Sequence, residues 1–192
     1  LALLDVQIAC LANQAMNYLV SDKPPRRMGN AHPNIVPYQD FPTADGDMIL
    51  AIGNDGQFAR FCAAAGAPEL AQDPRYATNE ARVAHRGGLV PRVAEILGRR
   101  TTREWLAALE AAQVPCGPIN DLAAVFAEPQ VRHRGLHIVL PHSSAGHAPG
   151  VANPVRFSRS AIEYQGSAPP LGADTAAVLR ERLGLGEPAL AD

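Results

Sequence analysis

The sequence predicts a mixed α/β fold, and three observations carry this prediction. Apolar residues recur at steps of three and four through Leu1 to Val20, which is the spacing of one helix face. Met48 to Ile52 is an apolar run of strand length. Thr101 and Glu104 have the spacing of a helix capping box. With 192 residues, the chain can form one sizeable domain, or a domain with a small lobe.

The first predicted helix covers Leu1 to Val20. Its apolar face consists of Leu4, Ile8, Leu11, Ala15 and Leu19. Ala9, Ala12 and Met16 widen this face, so we expect the helix to be buried on more than one side. It should end at Ser21 to Pro25, because proline cannot continue the helical hydrogen bonds.

The segment Gly29 to Phe41, called here the organising loop, follows this helix. Its two prolines fix φ, and Gly29 can adopt φ values closed to other residues, so the backbone path is constrained. His32, Tyr38 and Gln39 supply hydrogen-bonding groups and an aromatic ring. A rigid loop of this composition suits a binding surface. The alternative is a well-packed connection between a helix and a strand.

The turn Gly53 to Gln57 also has two interpretations. A strand, a glycine-containing turn and a helix start can hold a phosphate group. Asn54 and Gln57 have capping-box spacing, which indicates a simple turn with a helix cap. The segment lacks GxGxxG and the P-loop lysine, so we favour the turn with a cap.

The rest of the chain is predicted as short elements. A helix begins at Thr78 or Asn79 and runs to Leu97. The predicted core positions of that helix are Val83, Leu89, Val93 and Ile96. Next come a helix over Trp105 to Ala112, an irregular segment over Val114 to Asn120, a helix capped by Asn120 or Asp121 that runs through Phe126, and a helix over Glu128 to Arg134. Strands follow over Leu136 to Leu140 and over Val151 to Phe157, with a turn region over Pro141 to Gly150 between them. The chain then has an extended crossing over Ser158 to Pro170, a helix over Ala176 to Leu183 ended by Gly184, and a frayed tail.

Composition excludes several classes of function. The net charge of -2 and the lack of a Lys/Arg block argue against nucleic-acid binding. No apolar run is long enough for a membrane helix, and the polar residues within the first twenty argue against a signal peptide. The three scattered cysteines indicate a reducing compartment. His133 and His137 lie four apart, but Gly135 breaks the helix between them, so we predict no metal site.

No familiar catalytic set is visible. GxSxG, HExxH and paired carboxylates in an apolar setting are all missing from the sequence. Asp5 is the only acid in the apolar start, and we interpret it as an ordinary helix residue. The residues by themselves therefore indicate a mixed α/β protein with a constrained loop and assign no reaction.

A series of short motifs carries a family resemblance over nearly the whole chain. In order these are Leu3-Leu4-Asp5, Gly29-Asn30-Ala31-His32-Pro33, Pro37-Tyr38-Gln39, Asp73-Pro74-Arg75, Thr78-Asn79, Val114-Pro115-Cys116-Gly117-Pro118-Ile119-Asn120, Pro129-Gln130-Val131 and Pro170-Leu171-Gly172. Together they resemble the C-terminal half of a family III coenzyme A transferase of the CaiB/BaiF type.

The resemblance implies transfer of coenzyme A from an acyl-CoA to a carboxylic acid. An aspartate nucleophile would form a mixed anhydride and then an aspartyl-CoA thioester, which divides one difficult step into easier ones. That aspartate, and most residues that hold coenzyme A, would lie upstream of Leu1, so the resemblance implies no catalytic residue in this chain. The chain begins with Leu1 rather than Met, so we expect part of a longer polypeptide that is inactive alone. Coenzyme A thioester would be a substrate, and no permanently bound cofactor is expected.

The resemblance also implies an organisation and a location. Residues 1–28 would be a linking helix and turn, residues 29–135 a small-domain region, and residues 136–192 strands and a helix returning to a Rossmann-like large domain. The full-length chain would form an interlocked homodimer. We expect it in the cytoplasm, or in the mitochondrial matrix or peroxisome of a eukaryote.

Six residues of the organising loop are the predicted substrate-binding set. They are Gly29, Asn30, His32, Pro33, Tyr38 and Gln39. Formyl-CoA transferases resemble this chain but carry a flexible glycine run here, and the stiffer segment favours succinate, glutarate or related dicarboxylates. Arg26, Arg27 or His32 could supply the cation for such an anion.

Two other functions stay open. An α-methylacyl-CoA racemase has the same fold but carries out acid/base chemistry at the α-carbon. A non-catalytic binding or assembly module is the third possibility.

Overall fold

The computed structural model describes residues 1–186 and divides the chain into two compact units, Leu1–Ile119 and Asn120–Asp192. The mixed α/β fold predicted from the sequence is confirmed. The domain boundaries predicted after residues 28 and 135 remain a prediction.

The first unit contains seven helices and three strands within its described length. They are α1 (Leu3–Ala9), α2 (Ala12–Ser21), β1 (Tyr38–Pro42), β2 (Asp47–Ala51), α3 (Asp55–Ala64), α4 (Glu69–Gln72), α5 (Asn79–Ala84), α6 (Arg86–Leu97), α7 (Thr102–Ala111) and β3 (Cys116–Pro118).

The single helix predicted over Leu1 to Val20 is wrong, because the chain breaks between α1 and α2. The Leu11 amide donates to Ile8 O, three residues back, and Ala12 has a φ of 42°. Because the break is short, the apolar spacing continues through it, and the sequence pattern does not reveal the break. The expected burial is also wrong within this chain taken alone: Leu4 and Leu19 are 69% and 71% exposed. The predicted end at Ser21 is confirmed.

The strands form an antiparallel sheet in the order β1-β2-β3, with β2 in the centre. Met48 and Leu50 of β2 are fully buried, so the predicted strand is confirmed. The predictions that Tyr38 to Phe41 is loop and that Cys116 to Pro118 is irregular are wrong. Both segments are edge strands, which tolerate the prolines that made them resemble loops.

The core of this unit lies between the sheet and the helices α3, α6 and α7. Its largest fully buried apolar side chains are Trp105, Phe41, Phe58, Phe61, Met48, Leu50, Ile52, Leu89, Leu97, Leu109 and Val93. Each contributes about 1.5–3 kcal/mol by leaving water. The Trp105 indole N–H also donates to Leu97 O at 2.7 Å, which satisfies its one polar atom.

Helix starts follow the predicted caps. Thr101 and Glu104 form the complete capping box of α7, which confirms that prediction. Thr78 caps α5 through the Ala81 amide, but the one helix predicted through Leu97 is wrong, because His85 separates α5 from α6. Of the predicted core positions, Leu89, Val93 and Ile96 are buried, and Val83 is partly buried against them.

The second unit contains α8 (Leu122–Ala127), α9 (Pro129–His133), β4 (His137–His142), β5 (Gly146–Val151) and α10 (Thr175–Leu183). The two strands form an antiparallel hairpin. The predicted strand over Leu136 to Leu140 is confirmed, but β5 occupies much of the predicted turn region. The strand predicted over Val151 to Phe157 is wrong, because β5 ends at Val151.

The last helix ends as predicted at Gly184, whose φ of 65° suits glycine. The predicted frayed tail lies largely outside the described residues. No helix among residues 1–186 combines the length and apolar character needed to cross a bilayer.

Candidate functional site

The organising loop is a closed turn rather than an open excursion. Gly29 has a φ of 63°, a left-handed conformation that suits glycine. The His32 amide donates to Tyr38 O at 2.9 Å, which ties the start of the loop to the start of β1. The Val36–Pro37 peptide bond is cis. The hydrogen bond and the Gly29 conformation constrain the backbone path of the loop, as its composition predicts.

Asn79, the first residue of α5, holds the middle of this loop. Its Oδ1 accepts from the Val36 amide at 3.2 Å, and its Nδ2 donates to Asn34 O at 2.8 Å. One side chain thus satisfies a donor and an acceptor of an irregular backbone, which would otherwise need water.

Arg82 of α5 lies under the loop and is completely buried. Its guanidinium donates to Val36 O at 2.6 Å and to Tyr76 O at 3.0 Å. It also pairs with Asp55 at 2.8 Å, while the Asp55 side chain stays 53% exposed. The Phe58 ring lies 4.5 Å from the guanidinium carbon. These contacts explain how a charge is tolerated in this core.

Arg86, the first residue of α6, contacts the start of the loop. Its Nη2 donates to His32 O at 3.0 Å and to Pro33 O at 2.8 Å. Burial lowers the pKa of this guanidinium. Its other nitrogens, Nε and Nη1, have no partner among residues 1–186, and no carboxylate in that range forms an ion pair with it.

The His32 imidazole is held on both ring nitrogens. Its Nδ1 accepts from the Asn34 amide at 3.1 Å, and Asn13 Nδ2 lies 3.1 Å from Nε2. The Tyr38 ring is tilted against it with centroids 5.4 Å apart. The loop amide at Asn34 and the α2 side chain of Asn13 therefore fix the orientation of the ring from both sides.

A second amide links the loop to α2. Asn34 Nδ2 donates to Asn17 Oδ1 at 2.9 Å. Asn13 and Asn17 lie one helical turn apart, so α2 presents two amides to the loop. Both residues interrupt an apolar run in the sequence, and that interruption was the available signal of their role.

The structure brings some of the predicted substrate-binding residues together. The rings of His32 and Tyr38 are in contact, and Arg86 donates to the carbonyl oxygens of both His32 and Pro33. Gly29 and Asn30 lie in an exposed turn, and the Gln39 side chain bonds only weakly, to Asp40 O at 3.4 Å. Binding by these residues remains a prediction.

The predicted cations differ in their surroundings. Arg26 and Arg27 are exposed and make no hydrogen bond or ion pair with the part of the chain that the structure describes. Sequence reasoning missed Asn79, Arg82 and Arg86, because a helix pattern does not reveal which polar residue turns towards a loop.

The turn before α3 is a capped turn, as favoured from the sequence. Asn54 Oδ1 accepts from the Gln57 amide at 2.9 Å, and Gln57 Oε1 accepts from the Gly53 amide at 2.7 Å. Two of the amides that a phosphate would need are therefore already bonded to side chains.

Other titratable groups lie outside the loop. Hydrogen bonding to Arg75 lowers the pKa of Asp73 to about 2. Burial raises the pKa of the Cys62 thiol to about 12. Asp5 is exposed in the first turn of α1. Within residues 1–186, no three His, Cys, Asp or Glu residues are grouped to hold a metal ion.

Comparison with solved structures assigns the fold. A CaiB/BaiF family protein from Brucella suis is 46% identical, with a TM-score of 0.74 over 90% of this chain and 44% of that chain. Rv3272 from M. tuberculosis has a TM-score of 0.73 at 21% identity, over 92% of this chain and 46% of that chain, and supports the fold alone.

Comparison of sequences then gives the family. Residues 1–175 match CoA-transferase family III, and the chain belongs to this family. The predicted resemblance is confirmed. A succinate–glutarate CoA-transferase from Agrobacterium fabrum is 50% identical over 94% of this chain and 45% of its own length. A human succinyl-CoA:glutarate CoA-transferase is 42% identical over 94% and 41%. The chain thus spans less than half the length of these relatives.

Proposed function

We propose that this chain is part of an enzyme that transfers coenzyme A from an acyl-CoA to a carboxylic acid. Membership of family III supports the proposal. The observation that carries it is the 50% identity to a succinate–glutarate CoA-transferase over 94% of the chain. The coenzyme A thioester is a substrate in this proposal, and the protein acts in a reducing compartment.

We propose that the acyl donor and the acceptor are dicarboxylates. The names of two relatives, which pair succinate with glutarate, support this choice. A relative from Acetobacter aceti, 34% identical over 82% of this chain and 39% of its own length, is named an acetyl-CoA:oxalate CoA-transferase. Acceptor length is therefore the property to test.

The organising loop forms one wall of the substrate pocket in this proposal. Its hydrogen bonds to Asn79, Arg82 and Arg86 support a fixed wall, since a loop held at so many points cannot change shape freely. His32 and Tyr38 would contact the substrate. The aspartate nucleophile would come from residues outside this chain, and Asp5 has no catalytic role.

We further propose that the full-length protein is an interlocked homodimer. Exposed apolar residues on α1 and α2 support the burial of these helices in the assembly. The most exposed are Leu3, Leu4, Leu19 and Val20. Light scattering of the native gene product should give twice its denatured mass, and a monomer would contradict the dimer.

The first experiment is the denatured intact mass of the native gene product. A mass near twice 20.3 kDa is expected for a complete enzyme. That product should then transfer coenzyme A from succinyl-CoA to glutarate faster than from formyl-CoA to oxalate. Mass spectrometry after quenching should find coenzyme A attached to one aspartate.

The racemase alternative predicts a different result. It would exchange the α-proton of a methyl-branched acyl-CoA with deuterated water and would transfer no coenzyme A. Exchange without transfer would therefore replace the proposed function. A native product near 20.3 kDa, with neither activity, would favour the non-catalytic module.

A further inference from the structure

Arg86 has an unusual electrostatic position. It is partly buried, and burial lowers the pKa of its guanidinium, so the surroundings disfavour its charge. The ion pairs among residues 1–186 join Arg75 to Asp73, Arg82 to Asp55 and Arg99 to Glu95. Arg86 has no such partner in that range. A partly desolvated cation without a counter-charge costs free energy that a bound anion would recover.

The orientation of Arg86 is fixed as well. The two N–H groups of Nη2 are occupied by His32 O and Pro33 O. A guanidinium carries five N–H donors, so three remain on Nε and Nη1. A donor group that is already oriented loses little side-chain entropy when it binds a ligand. The contacts that orient it belong to the organising loop, so the free donors lie beside the proposed substrate wall.

We propose that Arg86 binds a carboxylate of the substrate, and specifically the carboxylate remote from the reacting end of a dicarboxylate. This inference rests on the proposed function. The reacting carboxylate must attack the aspartyl-CoA thioester on an aspartate that we place outside this chain, which leaves the remote carboxylate for the loop side. A charge-assisted hydrogen bond to a carboxylate is about twice as strong as a neutral one.

Arg86 is a better candidate than the cations predicted from the sequence. Arg26 and Arg27 are exposed, so water screens their charge. Both ring nitrogens of His32 already have a partner, Asn34 in the loop and Asn13 of α2. Arg86 alone of these combines a permanent charge, partial burial and free donors.

The test compares acceptors of equal length in the native full-length protein. Glutarate has two carboxylates, whereas pentanoate has one. In Arg86→Gln, kcat/KM for glutarate relative to pentanoate should fall at least tenfold, mainly through KM for glutarate. Arg86→Lys should recover part of that ratio, because lysine keeps the charge but lacks the fork.

Two control variants separate binding from loop disorder. Asn79→Ala removes two loop contacts but no charge, so it should lower kcat/KM for glutarate and for pentanoate by the same factor. Arg103→Gln removes an exposed arginine of α7 that has no hydrogen bond or ion pair in the described chain, and it should change nothing. An Arg86→Gln protein that keeps its acceptor ratio, or behaves like Asn79→Ala, would overturn the proposal.

A direct binding measurement covers failure of the proposed function. If the wild type transfers coenzyme A to no carboxylate, the transferase proposal fails, and calorimetric titration with glutarate then decides the role of Arg86. Loss of glutarate binding in Arg86→Gln, with Arg103→Gln unchanged, would support the anion site. No binding of glutarate by the wild type, or equal binding by the wild type and Arg86→Gln, would overturn the anion site.

Discussion

Replacing Arg82 by methionine should destabilise the first unit strongly. The buried guanidinium donates to Val36 O and Tyr76 O, and both residues are themselves buried. Methionine has a similar length but donates no hydrogen bond. The substitution therefore leaves two carbonyl oxygens without the donor that they have in the structure, beneath the organising loop.

The size of the effect follows from these two acceptors. Each unsatisfied buried acceptor costs about 1–3 kcal/mol, and methionine recovers part of this through apolar packing. We expect a net loss of about 3 kcal/mol in the free energy of unfolding, in line with the cost of removing one partner of a buried pair. Asp55→Asn should cost about 1 kcal/mol or less, because the Asp55 end of the pair is half exposed.

Urea unfolding of the 192-residue chain, followed by Trp105 fluorescence, measures this loss. Trp105 is the only tryptophan of the sequence and lies in the core of the first unit, so its emission reports that core. Arg82→Lys is the matched control: it keeps a charge but cannot reach three acceptors at once, and it should fall between wild type and Arg82→Met. A loss below about 1 kcal/mol in Arg82→Met would refute the reasoning from unsatisfied acceptors.

Three further predictions concern the caps, the acids and the thiols. Thr101→Ala should lower the free energy of unfolding by about 1 kcal/mol through loss of the α7 cap, while Thr101→Ser should be nearly neutral; equal losses in urea unfolding would contradict this. The Asp73 carboxyl should titrate near pH 2 by carbon NMR, and Arg75→Gln should move the midpoint towards 3.8. Because the folded-state pKa of Asp73 is lowered, the stability that Asp73 contributes is present above the unfolded pKa and is lost as pH falls towards 2. An unchanged titration midpoint of Asp73 in Arg75→Gln would exclude Arg75 as the cause of the lowered pKa. A maleimide at pH 8 should modify exposed Cys10 quickly, half-buried Cys116 slowly and buried Cys62 only after unfolding. The reason for the slow reaction of Cys62 is its burial, which also raises its pKa to about 12. Rapid loss of the Cys62 thiol in the native protein, measured by peptide mass, would contradict the packing.

Local sequence signals predicted much of the secondary structure. The capping box at Thr101, the Asn54 cap and the helix end at Gly184 depend on residues within a few positions of each other, so their chemistry is visible in sequence. The central strand β2 was visible because its apolar run is short and bounded by turn residues. The edge strand β3 was missed because its pairing with β2 is non-local, whereas β1, which pairs with the strand next to it in sequence, was missed because its prolines made it resemble a loop.

The candidate site divides in the same way. The sequence indicated that the organising loop is rigid, since glycine and proline restrict the backbone wherever they occur. It also identified His32 and Tyr38, which the structure places in ring contact. It could not identify Asn79, Arg82 and Arg86 as the residues that hold the loop, because they lie more than 40 positions away from the loop groups that they bind.

The sequence by itself determined the mixed α/β class, the family, the main helix caps and the stiffness of the organising loop. These properties follow from local backbone restriction and from an ordered set of motifs. Only the tertiary structure decided that Arg82 is buried and paired, whereas Arg86, four positions later on the same stretch, keeps free donors beside the loop. The fate of a charge depends on the acceptors and the water around it, and folding brings those together from distant parts of the chain.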